Sequence, residues 1–247
     1  MRYAPRQTGI AKAVANEVVY HECQPPEVFA DLVYCFWELR TSSPLKTGFD
    51  YLVMPDACVD IVFDLHYPEA FLMTPHVTSV CLNLGTEFHF VGIRLHPGVY
   101  ARELSNIVGS VQELKSLGGE NISDLIGRLA TMSFAHQQQE LTQLVRVLAC
   151  EDTLKSNALI RQIIQLNETH TISEIAKIVH ISERQLRRIV RNATGFSPKE
   201  LSKVVTFQRT FSSSWQGLYT DQAHYIHSFK QITKTTPQRY QRLYEAP

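Results

Sequence analysis

The 247-residue chain lacks the features that mark several common classes of protein. It has only five cysteines, which are widely spaced and include no Cys-x-x-Cys pair, so we expect neither a disulfide framework nor a zinc site. No run approaches the roughly 18 apolar residues of a membrane helix, and the first residues are not followed by the apolar core of a signal peptide. We therefore expect a cytoplasmic protein with no membrane contact.

The chain also lacks the motifs of common catalytic sites. There is no Gly-rich phosphate loop, no Ser/His/Asp elbow and no Cys/His signature. His66, His76, His89 and His96 show no close pairing of the His-x-His kind, which argues against a metal centre. We expect no enzyme, no catalytic residues, no metal and no cofactor.

The formal net charge is zero, which by itself argues against binding to nucleic acid. The average hides an asymmetry. Residues 1–150 carry 10 Lys/Arg against 16 Asp/Glu, a net charge of −6, whereas residues 151–247 carry 14 against 8, a net charge of +6. An acidic half joined to a basic half predicts two domains, the basic one facing a polyanion.

The first half is rich in short β-branched and aromatic runs bounded by Pro and Gly. Such runs predict strands of an antiparallel sandwich or barrel; they are Val28–Leu39, Phe49–Met54, Val59–Leu65, Ala70–Thr74, Val80–Leu84 and Phe88–Leu95.

After Gly98 the apolar period becomes helical. The predicted helices are Tyr100–Val108, Ile122–Leu129 and Gln138–Ala149. The apolar face of the last helix (Leu141, Leu144, Val145, Leu148) either packs on its own domain or pairs with the same helix of a second subunit. The polar stretch Cys150–Ser156 is the candidate linker, which gives domains at 1–150 and 157–247.

The segment Thr171–Gly195 is the most informative part of the sequence. Thr171 with Glu174, and Ser182 with Gln185, each form a capping box that starts a helix. Apolar positions follow at helical spacing in both, and Gly195 suits the end of the second. Two short helices joined by a turn of about three residues predict a helix-turn-helix.

The polar face of the second helix carries Arg184, Arg187, Arg188 and Arg191. Arginine forms bidentate hydrogen bonds with guanine in the major groove and also binds phosphate. The alternative, a solvated face of no consequence, is disfavoured by the arginine density together with the two capping boxes.

Ile172–Pro198 resembles the first helix-turn-helix of the AraC/XylS family of transcription regulators. Further matches occur in order downstream, at Arg209, Asp221–Tyr225, Phe229-Lys230, Thr236-Pro237 and Tyr240. The resemblance implies two helix-turn-helix units, joined by a long helix over Pro198–Phe211, that enter successive major grooves.

By position, the resemblance implies that Arg184, Arg187 and Arg188 face bases and that Arg191 lies near phosphate. In the second unit it implies DNA contacts from Gln222, Ala223, Ile226 and His227, with Tyr225 and Phe229 in the core. The chain departs from the family between Arg209 and Tyr219, where only nine residues stand and about one helix is missing. The second unit is therefore predicted to be incomplete.

Two segments of the first half, Met54–Phe63 and Val91–Gly98, resemble an N-terminal domain often found beside such a C-terminus. The resemblance implies a cupin-like sensing or dimerisation domain, so the predicted class is α+β: a β-rich domain followed by an all-α one. Strand aromatics motivate an effector pocket, although they could simply be core. The candidate ligand-binding residues are Trp37, Tyr51, Arg94 and His96, the last two as anchors for an anion. Asp56, Asp60 and Asp64 share one strand face, which is predicted to be solvated.

Together these features predict a sequence-specific transcription regulator that reads promoter DNA mainly with the helix Ser182–Ala193. The implied partners are double-stranded DNA, RNA polymerase, a second copy of the chain and a small-molecule effector, at the nucleoid in the cytoplasm. The alternative is a protein-interaction module that sequesters another regulator without productive DNA binding. An enzyme built on the β-rich half is disfavoured because the chain shows no acid–base or metal constellation.

Overall fold

The computed structural model describes residues 3–7, 9–14, 16–100, 109–167 and 169–244. An antiparallel β-rich region is followed by a helical region, which confirms the predicted α+β class. The predicted helix Tyr100–Val108 lies, apart from its first residue, outside the described residues.

The β-rich region contains a six-stranded antiparallel sheet and a separate two-stranded ribbon. The sheet has the order β1-β2-β7-β4-β5-β8, and β3 pairs with β6 to form the ribbon. The strands are β1 (Val18–Cys23), β2 (Val33–Thr41), β3 (Asp50–Val53), β4 (Val59–Asp64), β5 (Glu69–Met73), β6 (Val80–Asn83), β7 (His89–Leu95) and β8 (Val111–Leu114), followed by a hairpin of β9 (Ser116–Leu117) and β10 (Glu120–Asn121).

The predicted strand runs match β2 to β7, with one correction. The run Val28–Leu39 begins with a 3₁₀ helix, Glu27–Phe29, in which Val28 is exposed, and the strand starts only at Val33. Strands β1 and β8 were not predicted. Each lies at an edge of the sheet, and β8 has mostly exposed side chains, so it lacks the apolar alternation that marks a half-buried strand.

Side-chain alternation gives the sheet two different apolar faces. One face, which includes Phe36, Ile61 and Ile93, packs against the helices α1 (Ile122–Ala130) and α2 (Phe134–Cys150). The other face, which includes Trp37 and Val62, turns toward the β3–β6 ribbon. The sheet is therefore covered by helices on one side and by the ribbon on the other.

The apolar face of α2 belongs to the first of these cores. Leu141, Leu144, Val145 and Leu148 are all buried, in one cluster with Leu125 and Leu129 of α1. Burying such side chains stabilises the fold by roughly 1.5–3 kcal/mol each. The interpretation that this face pairs with a second subunit is therefore wrong, because the face is already occupied by its own domain.

The C-terminal region contains six helices: α3 (Ala158–Leu166), α4 (Ile172–Ile178), α5 (Glu183–Thr194), α6 (Pro198–Arg209), α7 (Gln222–Thr233) and α8 (Pro237–Leu243). Helices α3 to α6 share one core, built from side chains such as Ile163, Ile175, Leu186, Val190 and Val204.

The segment after α2 is packed between the two regions. Leu154 is 2% exposed and forms an isolated bridge with Tyr100, while the amide of Lys155 donates to the carbonyl of Val99 at 2.9 Å. Arg161 of α3 forms an ion pair with Asp31 at 2.8 Å. The expected linker, Cys150–Ser156, is therefore fixed to the N-terminal region by the buried Leu154 side chain and by the backbone hydrogen bond of Lys155.

A second interface joins α6 to the N-terminal region. Gln208, 2% exposed, donates through Nε2 to the carbonyl oxygen of Pro55 at 2.8 Å and accepts at Oε1 from the amide of Arg6 at 2.9 Å. Nearby, Leu52 and Met54 pack with Phe207. A buried amide with both its donor and its acceptor satisfied fixes the relative position of the two regions.

Candidate nucleic-acid interface and internal cavity

Helices α4 and α5 begin with reciprocal caps. Glu174 donates its amide to the Thr171 hydroxyl at 3.3 Å, and its Oε2 accepts from the Thr171 amide at 2.7 Å. Gln185 makes the same pair with Ser182, at 3.2 and 3.4 Å. The amide of Thr171 lowers the pKa of the Glu174 carboxyl, because hydrogen bonds to a carboxylate favour its ionised form. Both predicted capping boxes are confirmed.

The turn between α4 and α5 is short and is closed by packing. His180 adopts a left-handed φ of 55°, which reverses the chain, and the amide of Ile181 donates to the carbonyl of Ala176 at 3.0 Å. Ala176 is 3% exposed and lies in the same cluster as Leu186 and Val190 of α5. A small side chain at this position lets the two helices approach closely.

All four arginines of α5 are exposed. At about 100° per residue, Arg184, Arg187, Arg188 and Arg191 fall within an arc of roughly 100°, opposite the buried Leu186 and Val190. Arg187 forms an i,i+4 ion pair with Glu183 at 2.8 Å, but the Arg187 side chain is still 62% exposed. The helix therefore presents a strongly cationic face to solvent.

The C-terminal half of α5 also borders the N-terminal region. Arg188 and Asn192 line an open cleft whose opposite wall includes Tyr100, Lys155 and Asn157. The start of α5, with Arg184 and Arg187, lies outside this cleft lining. In recognition helices generally, the residues at the N-terminal end are the ones that reach base edges; the corresponding end of α5 is not part of the cleft.

The residues singled out in the second unit lie on α7. Asp221 caps this helix by accepting from the amide of His224 at 2.7 Å. Gln222 and His227 are exposed, Tyr225 is half-buried and Phe229 is 2% exposed. His227 Nε2 is 2.8 Å from Gln231 Nε2. The side chains expected to face outward do so, and of the two expected in the core Phe229 is buried whereas Tyr225 is half-buried.

No helix lies between Arg209 and Gln222, a stretch that is described in full. Aromatic packing holds this loop to α7 instead: the Trp215 ring stacks on Tyr225, with centroids 5.5 Å apart and planes 4° apart, and Tyr219 also contacts Tyr225. The prediction that this short stretch holds no helix is confirmed.

Helices α7 and α8 dock on the β3–β6 side of the N-terminal region. Leu52 of β3 and Met54 share a cluster with Ile232, Phe229 and Tyr240. The amide and the hydroxyl of Ser79 donate to the carbonyl oxygen of Ile232, at 2.9 and 3.1 Å.

On its other side, the ribbon roofs a cavity of about 380 Å³. Tyr51 and Val53 of β3 point into this cavity, on the opposite face from Leu52. The floor is the sheet, where Trp37 of β2 and Phe90 of β7 lie beside the β4 row of Asp60, Val62 and Asp64. One two-stranded ribbon thus separates the cavity from the docked α7 and α8.

The indole of Trp37 lies flat on the cavity floor because its neighbour across the sheet is Gly92. A Cβ added to Gly92 would be 2.2 Å from the indole ring. The indole nitrogen of Trp37 donates to Asp60 Oδ1 at 2.7 Å. Together these contacts fix the aromatic floor next to a carboxylate.

Arg94 does not offer a free cation to the cavity. Its guanidinium is 5% exposed and lies 3.1 Å from Asp60 Oδ1, 3.4 Å from Asp56 Oδ2 and 3.4 Å from Glu22 Oε1. Burial and the nearby Asp56 outweigh the guanidinium, so the pKa of Asp60 rises to about 6. Because three carboxylates surround one guanidinium, the expected role of Arg94 as an anchor for an anion finds no support in this geometry.

The other candidate ligand residues divide between two places. Trp37, Tyr51 and Arg94 all line the cavity, but His96 does not. His96 lies beyond the end of β7. Its ring meets the Tyr34 ring edge-on, with centroids 5.8 Å apart, and His96 and Arg161 line a small gap there. The structure thus brings three of the four together.

The acidic residues of β4 were expected on a solvated face, and that expectation is wrong. Asp60 and Asp64 share the strand face that forms the cavity floor, and Asp64 is only 7% exposed. Asp56 precedes β4; it is 5% exposed and contacts Arg94. The i, i+4 spacing gave the correct common face for Asp60 and Asp64. Whether that face is wet or enclosed depends on the β3–β6 ribbon above it, and the spacing within one strand holds no information about the ribbon.

Comparison with known proteins gives a partial match in sequence. Residues 21–112, from within β1 to within β8, match a family described only as a domain of unknown function (DUF6597). No curated protein matches the chain.

Among solved structures, the chain is similar to ToxT from Vibrio cholerae. One ToxT structure has 10% identity and a TM-score of 0.46, over 91% of this chain and 97% of that chain. ToxT from strain SCE256, with an unsaturated fatty acid bound, has 9% identity and a TM-score of 0.42, over 93% and 96%. Because identity and TM-scores are low, the assignment of residues below rests on this chain's own side chains.

Part of the candidate site escaped the sequence reasoning. Tyr20, Phe71 and Phe90 line the cavity, but they come from three strands, so no local pattern joins them. Asp64 belonged to a recognised acidic series, and its spacing from Asp60 was the one available signal.

No described helix has both the length and the apolar character needed to cross a membrane. Likewise, within the described ranges, no three His, Cys, Asp or Glu side chains are grouped so that they could hold a metal ion.

Proposed function

We propose that this chain is a sequence-specific DNA-binding transcription regulator of the AraC/XylS type. The observation that carries the proposal is α5, which begins with a reciprocal cap and presents four exposed arginines on one face. In this proposal Arg184, Arg187 and Arg188 read bases in the major groove of promoter DNA, and Arg191 binds phosphate. The +6 net charge of residues 151–247 supports a polyanionic partner.

The second unit has a smaller role in this proposal. Gln222 and His227 are exposed on α7, but no positioning helix precedes α7. We propose that α7 contacts DNA weakly beside the site read by α5. A single DNA-reading module buries only about 600–1,000 Å², so a homodimer that doubles the contacts is part of the proposal. Its surface is not the apolar face of α2. RNA polymerase is the proposed partner at the promoter, and the nucleoid the proposed location.

A small-molecule effector is the proposed ligand of the 380 Å³ cavity, whose size is within the usual range for ligand pockets of about 300–1,000 Å³. The β3–β6 ribbon gives it a route to the DNA-binding region. Tyr51 and Val53 face the cavity, whereas Leu52 between them packs with Phe229 and Ile232 of α7. Moving the ribbon by filling the cavity would therefore move the surface that holds α7.

A mobility-shift titration with DNA from the gene's own upstream region tests the proposal. Arg184, Arg187 and Arg188 are changed together to Ala. The matched control changes Lys46, Lys115 and Arg146, which are exposed and lie in the N-terminal region, so both variants lose three positive charges. We expect the α5 variant to lose selective binding, at about 1–3 kcal/mol for each base-reading arginine, and the control to retain it.

Salt dependence and footprint length complete the test. Each arginine that binds a phosphate adds about 0.9 to the steepness with which log K falls against log salt. A separate Arg191→Ala variant should therefore show a salt dependence shallower by about that amount. A protected region of about one helical turn per subunit would mean that α5 reads DNA alone. Equal binding by the α5 variant and the wild type would refute the assignment, and absence of selective binding at low salt would favour a module that sequesters another regulator.

A further inference from the structure

Asp64, at the end of β4, is a buried carboxylate without a cationic partner. It is 7% exposed, and its two hydrogen bonds, from the amides of His66 at 2.9 Å and Tyr67 at 3.0 Å, both end on Oδ1. Among the described residues, Oδ2 of Asp64 therefore receives no hydrogen bond from the protein. Asp64 lines the cavity. Oδ2 is therefore the atom of Asp64 that remains available to accept a hydrogen bond from a molecule in the cavity.

The walls near Asp64 are aromatic and apolar. Phe90 of β7 is the cross-strand partner of Asp64, and Phe71 of β5 is the cross-strand partner of Val62. Leu84, which follows β6, also lines the cavity. Aromatic faces attract cations as well as apolar groups. A ligand here would meet a carboxylate at one end and ring faces along its length.

The opposite end of the cavity offers no site for a negatively charged group either. Asp60 lies four residues away, about 13 Å along the strand, and there Arg94 is matched by Asp60, Asp56 and Glu22. No other Lys, Arg or His among the described residues lines the cavity. The cavity is thus aromatic, net acidic and without an available cation.

We propose that the cavity binds a small aromatic or apolar amine, whose protonated nitrogen donates to Asp64 Oδ2 while its ring lies against Phe71, Phe90 and Trp37. This deepens the effector part of the proposed function and rests on it for its consequence. An organic cation fits better than a metal ion, because no described group of three acidic, His or Cys side chains could hold a metal. An anion would meet an unneutralised carboxylate.

Isothermal titration calorimetry on the full chain, without DNA, tests the proposal. Three probes of one shape differ in charge: tryptamine is cationic, tryptophol is neutral and indole-3-acetate is anionic. Benzylamine and 2-phenylethylamine extend the amine series to smaller rings. We expect an amine to bind roughly tenfold or more tightly than its neutral and anionic counterparts, the ratio typical of one charge-assisted buried hydrogen bond.

The variant Asp64→Asn removes the charge but keeps the oxygen that accepts from the two loop amides. It is expected to bind tryptamine about as weakly as tryptophol, while its affinity for tryptophol is unchanged. Asp124→Asn, on an exposed turn of α1, is the matched control and should behave as wild type. A melting curve of each variant establishes that it is folded.

Three results would overturn the proposal. They are tighter binding of indole-3-acetate than of tryptamine, an unchanged amine preference in Asp64→Asn, and no binding of any of the three amines at millimolar concentration in wild type. The mobility shift is run separately with and without tryptamine. No selective DNA binding in either arm would count against the regulator, whereas no binding of any amine in the calorimetry would count only against this ligand class.

Discussion

Replacing Arg94 by Met tests whether this residue is a structural counter-ion or a ligand anchor. Methionine keeps an unbranched apolar stem but removes the charge that faces Asp60, Asp56 and Glu22. Removing one partner of a buried ion pair commonly costs about 3–5 kcal/mol. Since Glu22 is 29% exposed and can reach water, we expect the lower end, about 3 kcal/mol of unfolding free energy near pH 8.

The pH dependence separates this charge effect from a change in packing. The pKa of Asp60 is about 6 with Arg94 present, and removing the guanidinium raises it further. Below about pH 5.5 Asp60 is largely protonated in both proteins and contributes little to their difference. As the pH rises above 6, Asp60 ionises more readily in the wild type than in the variant. The stability difference should therefore widen with pH, by about 1.4 kcal/mol for each unit that separates the two pKa values.

Urea denaturation followed by circular dichroism, at pH 5 and at pH 8, provides the measurement. A loss below about 1 kcal/mol at pH 8, or an equal loss at both pH values, would refute the reasoning. Arg94 would then act through packing alone, and its interpretation as an anchor for an anionic ligand would regain support.

Three further changes test other contacts. Gly92→Ala should destabilise the protein by about 1–3 kcal/mol and shift tryptophan emission, because its new Cβ displaces the Trp37 indole; Gly127→Ala, in open space on α1, is the control. Gln208→Leu should cost about 1–3 kcal/mol in urea, because the buried Pro55 carbonyl loses its donor. The stability of Asp60→Asn relative to wild type should increase by about 2 kcal/mol as pH rises from 4 to 6, because a raised folded-state pKa makes ionisation of Asp60 costly in the folded protein.

A specific result would contradict each of these three predictions. An unchanged emission spectrum in Gly92→Ala would mean that the indole does not lie over the glycine. Gln143 is an exposed position on α2 and serves as the control. If Gln208→Leu lowers the free energy of unfolding no more than Gln143→Leu does, the Gln208 amide does not stabilise the interface between the two regions. For Asp60→Asn, a constant difference from wild type across pH 4–6 would show that Asp60 titrates near its unfolded value.

The helix-turn-helix was predictable because its signals are local. A capping box spans four residues, and the apolar positions of α4 and α5 repeat every three or four residues. Both depend on backbone geometry within one helix. The lack of a helix between Arg209 and Gln222 was equally predictable, because only nine residues separate Arg209 from Tyr219.

The cavity was only half predictable. Trp37, Tyr51 and Arg94 were chosen for residue type, and alternation along β4 put Asp60 and Asp64 on one face. The sequence did not indicate that Asp56 and Glu22, from different parts of the chain, converge on Arg94 and leave it without a free charge for an anion. No pattern in the sequence reveals an interaction between residues that are 72 positions apart.

The sequence by itself therefore determined the α+β class, both capped helices and the arginine face of α5, since each follows from interactions between near neighbours along the chain. Only the tertiary structure decided which apolar faces were free and which charges were neutralised. The face of α2 was occupied by its own sheet, and the ribbon enclosed the acidic row of β4. Burial and electrostatic pairing depend on what lies a few ångströms away in space, and in this protein those neighbours come from distant parts of the chain.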